Sequence, residues 1–202
     1  MHAIGDLANR QVIQAFNAVL PDDTIPRNQK IRFRIEHAQI IHPDDVILAQ
    51  NLGIVMSMQP THATSDMSYA LSRLGPERLA HGAYAQATFA RNPNTTLVLG
   101  SDFPVEPPSP LRGIYAAVTR LDPDTGTSPH GPGGWYPEQK LTFEEALAGF
   151  TRDAAYGAFQ EDDAGSIEVG KWADWVVVGE KSEGIVIDGI VKETWVGGRR
   201  VF

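Results

Sequence analysis

The sequence has no cysteine among its 202 residues, which excludes a disulfide framework, thiolate metal ligands and a cysteine nucleophile. It is also short of positive charge. Seventeen lysines and arginines stand against 25 aspartates and glutamates, a formal net charge of −8. No basic stretch offsets that balance, so neither a nucleic-acid backbone nor an anionic membrane surface is an expected partner. Long apolar runs are missing as well. The first twenty residues carry Asp6, Asn9, Arg10, Gln11 and Gln14, which rules out a signal peptide or membrane span within them. No internal repeat and no low-complexity segment occurs. No G-x-G-x-x-G or P-loop pattern is present, which removes the support for a nucleotide-binding domain. The lack of cysteine fits a reducing compartment, so a cytoplasmic location is the expectation, with targeting information upstream left open.

What is present is ordinary globular material, 42% apolar and 21% charged. Val12, Ile13, Phe16, Val19 and Leu20 recur at helical spacing and predict a helix from Asp6 to Leu20, ended by Pro21-Asp22-Asp23, with Pro26 in the loop beyond. In IRFRIEHAQ (31–39), Phe33, Ile35 and His37 alternate with Arg32, Arg34 and Glu36, a strand signal. If His37 faces a functional interior, the three charged residues face the helical layer, a charged face with no evident partner unless Glu36 pairs with an arginine. His42-Pro43-Asp44-Asp45 opens a second helix. GIVMSMQPTH (53–62) reads as a strand stopped by Pro60, and short helices are expected over 66–73 and 83–91. TTLVLGSD (95–102) is the next strand, followed by a helix over 111–120 and a Pro/Gly-rich loop over 121–139. Thr142 and Glu145 form a capping box for a helix bearing Phe143, Ala146, Leu147 and Phe150. Strand and helix in alternation imply βαβ units and a parallel sheet. After about Glu161 the chain turns β-rich and reads as a separate small β module, with Trp172 and Trp175 in its core.

Three apparent strands or strand remnants end in His2, His37 and Asp102. In parallel α/β barrels the functional residues stand at the C-terminal strand ends. Two neutral imidazoles and a carboxylate suit a catalytic divalent ion that keeps a position open for water, and a carboxylate beside that water can take its proton and pass it to a leaving amine. Spacing alone does not decide this, because strand-end histidines also serve as hydrogen-bonded structural residues. His42 reads as a surface residue, His81 as a turn residue and His130 as exposed in the loop.

The segments HAIGD (2–6), RIEHAQ (34–39), QPTH (59–62), GSDFPVE (100–106), AAVTR (116–120) and GSIEVGKWADWVVV (165–178) together, in this order, resemble the YtcJ-like branch of the amidohydrolase superfamily. That branch is also called amidohydrolase family 3 and includes the N-substituted formamide deformylases. The resemblance implies an α/β fold, the C-terminal half of a (β/α)8 TIM-barrel metal-dependent hydrolase plus part of a small β-sandwich domain. Residues 1–160 would supply strands five to eight of the barrel and 161–202 the sandwich segment. It implies metal ligands in His2, His37 and Asp102, with Asp102 also the catalytic general base, and substrate contacts from Gln59 and His62. The cofactor would be a divalent metal, zinc, as one or two ions in the complete enzyme. The reaction would be hydrolysis of C–N bonds other than peptide bonds, with metal-held hydroxide attacking a small-molecule amide or formamide. No nucleic acid or membrane partner is implied, and homo-oligomerisation stays open.

The family's His-x-His pair from strand one and its bridging ligand from strand four have no counterpart in this sequence. The expectation is therefore an incomplete site: a truncated chain, inactive or weakly active, that binds zinc substoichiometrically. The alternative is a non-catalytic fragment or pseudoenzyme acting as a binding or assembly module.

Overall fold

The structure, a computed structural model, describes residues 1–19, 31–179 and 191–202. The expected helix end at Leu20 and the breakers Pro21-Asp22-Asp23 and Pro26 lie outside these residues. The chain opens with β1 (His2–Ala3) and α1 (Asp6–Val19), which buries Asn9, Val12, Ile13 and Phe16. Then come β2 (Arg34–His37), α2 (Pro43–Asn51) and β3 (Val55–Met58). Pro60 does end the preceding strand, but it also begins α3 (Pro60–Asp66) at the first helical position, where a missing N–H costs nothing. The span 66–73, expected as one helix, is helical except at a turn over 67–69, which separates the end of α3 at Asp66 from α4 (Ala70–Gly82), and α4 is itself kinked at Gly75 (φ 77) before Pro76. His81 therefore sits in the last turn of a helix rather than in a loop. The helix expected over 83–91 shortens to α5 (Gln86–Ala90), because Ala83 is drawn into a bridge with Ile40.

β4 (Leu97–Leu99) and α6 (Pro110–Thr119) follow, then α7 (Phe143–Phe150), whose N-terminus carries the complete Thr142/Glu145 capping box, and α8 (Arg152–Gly157). Among the described residues no helix is long and apolar enough to cross a membrane.

The first four strands form one parallel sheet in the order β1-β2-β3-β4. Its register sets the two faces. Ile35, Met56 and Leu97 lie side by side and pack with Ile13, Phe16, Ala49, Phe89 and Ala146 of the surrounding helices. His2, Glu36, Ser57 and Val98 form the row on the opposite face. Phe33 stacks on Phe16 of α1 at 4.3 Å. The expectation that Arg32, Arg34 and Glu36 face the helices is thus reversed, since Phe33 and Ile35 do so.

The physical reason is at the end of β2. His37 (φ 75) and Ala38 (φ 45) leave the extended region, which breaks the two-residue alternation, so His37 need not share a face with Ile35. The charged face finds its partners elsewhere. Arg34 Nε donates to Glu36 Oε1 at 2.5 Å, and its Nη1 donates to the Gly157 carbonyl at 2.9 Å. Arg32 forms a two-pronged ion pair with Glu161 and lies 3.7 Å from the Tyr156 ring centroid.

The loop over 121–139 is anchored from below. Arg120, in the left-handed conformation (φ 57) at the end of α6, is fully buried; its Nε donates to the Trp135 carbonyl at 2.8 Å and its Nη1 to the Tyr84 carbonyl at 3.4 Å. Burial lowers its pKa to about 10, partly opposed by Glu138 and Tyr84.

The C-terminal part is an antiparallel sheet of β5 (Trp175–Val178), β6 (Val191–Val196) and β7 (Arg199–Arg200). Trp175 stacks on Trp195 across the ladder at 5.3 Å. Trp172 is not core: it precedes the ladder, has no strand beside it among the described residues, and is 54% exposed.

Candidate metal centre

The residues that end β1 are held by Asn9 of α1. Its buried amide nitrogen donates to the carbonyls of Ala3, Ile4, Gly5 and Ile40 at 3.0–3.2 Å. One side chain thus fixes both the HAIGD turn and the segment after β2, and so sets His2 against His37.

His2 Nδ1 and His37 Nε2 lie 3.1 Å apart, with ring centroids at 5.2 Å and planes inclined at 50°. Behind the ring, His37 Nδ1 is 3.2 Å from Oε1 of the buried Gln59. His62, in the first turn of α3, stacks on His37 with centroids 6.0 Å apart and planes at 17°. Its Nε2 is 3.9 Å from Asp102 Oδ2, and Asp102 sits in the turn after β4 at φ 57. One ligand atom from each of His37, His62 and Asp102 falls within 4.8 Å of the others. Of the five residues singled out in the sequence, His37, His62 and Asp102 share this cluster, while His2 and Gln59 reach it only through their contacts with His37. His62, expected as a substrate contact, stands as near the centre as the expected ligands. His42, His81 and His130 stand apart: His42 caps α2, and His130 packs on Tyr136 at 5.0 Å.

The electrostatics suit a cation. His62 is buried, and its Nε2 has no hydrogen-bond partner among the described residues. Burial lowers its pKa, opposed by the carboxylates of Glu106, Asp102 and Asp66, so at neutral pH the ring is uncharged, the form that ligates metals. On the same sheet face, burial alone would raise the Glu36 carboxyl, but hydrogen bonds from Ser57 and Arg34 outweigh it and hold the group low. Two ring nitrogens bound at tetrahedral angles to zinc lie about 3.4 Å apart, close to the 3.1 Å between His2 and His37. The His37 imidazole and the Asp102 carboxylate, with His2 beside His37, are donor types that fit a divalent ion, and the orphaned His62 nitrogen beside them is left to meet the ion or a group bound at it.

Sequence reading missed Asn9, Asp66 and Glu106. Asn9 carried no local signal, because its partners lie up to 31 residues away. Asp66 was legible in principle, since it stands four residues after His62 and so on the same helix face. Glu106 lay inside the GSDFPVE segment.

A family model described as the amidohydrolase family matches residues 1–202. The chain is 34% identical over 205 residues to Protein LONG AFTER FAR-RED 3 of Arabidopsis thaliana, covering all of this chain and 33% of that protein. It is 30% identical over 208 residues to a protein of Bacillus subtilis (strain 168) designated amidohydrolase YtcJ, again covering all of this chain and 37% of the relative. The chain thus spans about a third of the length of the curated relatives it matches. Among solved structures, an uncharacterized metal-dependent hydrolase from Pyrococcus furiosus superimposes with a TM-score of 0.68 at 30% identity, over 85% of this chain and 31% of that one. With the motifs in order, the parallel sheet beneath them and a family match along the whole sequence, the chain belongs to the amidohydrolase family.

Proposed function

We propose that these residues form the ligand-bearing wall of a metal-dependent hydrolase that cleaves C–N bonds other than peptide bonds in a small-molecule amide or formamide. The observation that carries this reading is the cluster of His37, His62 and Asp102 from three separate segments, beside which His2 Nδ1 stands 3.1 Å from His37 Nε2. Zinc suits a nitrogen and carboxylate donor set. Bound by His2, His37 and Asp102, it would supply Lewis-acid activation of water and of the substrate carbonyl.

The side chains divide the remaining work. Gln59 holds the His37 ring so that Nε2 faces the centre. Asp102 accepts a proton from the attacking water and delivers it to the nitrogen as the C–N bond breaks, so that the amine leaves neutral. His62, uncharged beside Asp102, contacts the substrate carbonyl. In this reading the parallel sheet within 1–160 is part of a (β/α)8 barrel and the antiparallel sheet within 161–202 is part of a small β-sandwich.

No His-x-His pair occurs in the 202 residues, so turnover by this chain is expected to be weak. The test is hydrolysis of N-substituted formamides by the zinc-loaded chain. Turnover abolished by chelation and lowered about a hundredfold or more by Asp102→Asn supports the reading, and turnover insensitive to both overturns it. Zinc binding without any turnover would favour a non-catalytic binding module.

A further inference from the structure

Asp66 closes α3 four residues after His62, and its carboxylate accepts from three other side chains. Tyr84 Oη donates to Oδ2 at 2.5 Å, Gln39 Nε2 donates to the same oxygen at 3.1 Å, and Tyr69 Oη donates to Oδ1. Gln39 lies two residues beyond His37, and its carbonyl accepts from the Tyr84 backbone N–H at 2.6 Å. A single carboxylate therefore ties the helix that carries His62 to the segment that carries His37.

The neighbouring Ser65 makes a matching link to the third segment, because its hydroxyl donates to Glu106 Oε1 at 2.7 Å, four residues beyond Asp102. The two links differ in strength. Ser65 and Glu106 meet near solvent, where such a bond adds little. Tyr84 and Gln39 are buried, and their bonds to a charged acceptor are both desolvated and charge-assisted. α3 packs against α6 and buries Pro60 to Thr64, but it has seven residues and no side-chain hydrogen bond at its N-cap, so these polar ties add to that packing in fixing its rotation. So short a helix takes its position from tertiary contacts.

We propose that Asp66 is a positioning residue for the metal centre, a bracket that sets His62 at its distance from His37. The proposal rests on the metal-centre reading for its zinc consequences only, since the bracket also acts in the metal-free chain. In Asp66→Asn the single remaining oxygen is neutral and the second position becomes a donor, so the charge-assisted bonds from Gln39, Tyr69 and Tyr84 cannot all be kept, and the two histidines no longer hold their 6.0 Å stack.

The experiment has a metal-free arm and a metal arm. In metal-free chain, the ring-proton resonances of His37 and His62, assigned with His37→Gln and His62→Gln, shift together in Asp66→Asn, while those of His130 stay in place. In the metal arm, calorimetry shows zinc bound about tenfold more weakly by Asp66→Asn, and the cobalt(II)-substituted chain shows a changed visible absorption band, which general destabilisation would not produce. Tyr84→Phe removes one donor while keeping the ring, and it moves each readout in the same direction by less. Unchanged His37 and His62 resonances together with an unchanged zinc affinity in folded Asp66→Asn overturn the proposal. Should Asp66→Asn fail to fold, the same readouts in Tyr84→Phe decide it. If the unsubstituted chain binds no zinc, the metal-centre reading fails, and the metal-free arm still decides the bracket.

Discussion

Gln59 Oε1 stands 3.2 Å from His37 Nδ1, on the opposite side of the imidazole from His2. A carbonyl oxygen can only accept, so Nδ1 carries the proton and Nε2 presents its lone pair toward His2. This contact chooses the tautomer that can ligate. Gln59→Leu, close in size but without an acceptor, is expected to bind zinc about tenfold more weakly, and Gln59→Glu is expected to keep most of the affinity. Calorimetric titration checks this, and equal affinities for Gln59→Leu and the unsubstituted chain would remove Gln59 from the account.

Arg120 is a buried cation with carbonyl acceptors and no carboxylate partner among the described residues. Arg120→Ala leaves the Trp135 carbonyl without its side-chain donor, leaves the Tyr84 carbonyl with only the Gln86 N–H, and opens a cavity beneath the loop over 121–139. The expected loss is about 2–4 kcal/mol of unfolding free energy, measured by urea denaturation. A loss under about 0.5 kcal/mol, the range of an ordinary surface substitution, would show that the loop does not depend on this anchor.

Gly82 ends α4 against the segment after β2. A Cβ there would lie 1.8 Å from the Ile41 carbonyl oxygen, and the Ile41 N–H donates back to the Gly82 carbonyl at 2.9 Å. Backbone meets backbone, so no side chain can yield. Gly82→Ala is expected to cost about 3 kcal/mol, read from the same denaturation curves, and a neutral substitution would mean that α4 sits farther out.

The Arg32–Glu161 pair joins the sheet to the segment after α8. The Arg32 hydrogen bond is the largest cause holding the Glu161 carboxyl below its usual value of 4.5. A lowered folded pKa contributes stability above the unfolded value, and that contribution is lost as pH falls through the folded one. Glu161→Gln should therefore destabilise the chain by about 1–2 kcal/mol at pH 7, a charge-assisted bond discounted for a carboxylate one-third exposed. The deficit should shrink as pH drops below about 4.5. A deficit that stays constant across that range would assign the effect to packing against Tyr156 and Phe159 instead.

The order of strands and helices, α1 and the capping box of α7 were legible because each is written in local spacing, whereas β3 ends at Met58 and β4 at Leu99, short of the expected ends. The face assignment of β2 was not. His37 and Ala38 turn to positive φ, and nothing in the alternation of Phe33, Ile35 and His37 announces that break. Pro60 was read as a stop when it is also a start, since the same residue suits a strand end and the first helical position. The proposal of His2, His37 and Asp102 as ligands rested on motif order. Asn9 and Asp66 each combine local bonds with one or two to distant segments, Ile40 for Asn9 and Gln39 and Tyr84 for Asp66, and it is those long-range bonds that no window of sequence contains. Trp172 misled because an aromatic next to a strand pattern reads as core whether or not a second layer covers it.

The central claim, a metal centre built on His37 between its neighbours His2 and His62, is tested most directly by zinc titration of the purified chain and of His37→Ala. The account predicts that the unsubstituted chain takes up zinc, that His37→Ala binds it at least about tenfold more weakly, and that His42→Ala and His130→Ala match the unsubstituted chain. Equal zinc binding by His37→Ala and the unsubstituted chain, or no binding by either, would contradict it.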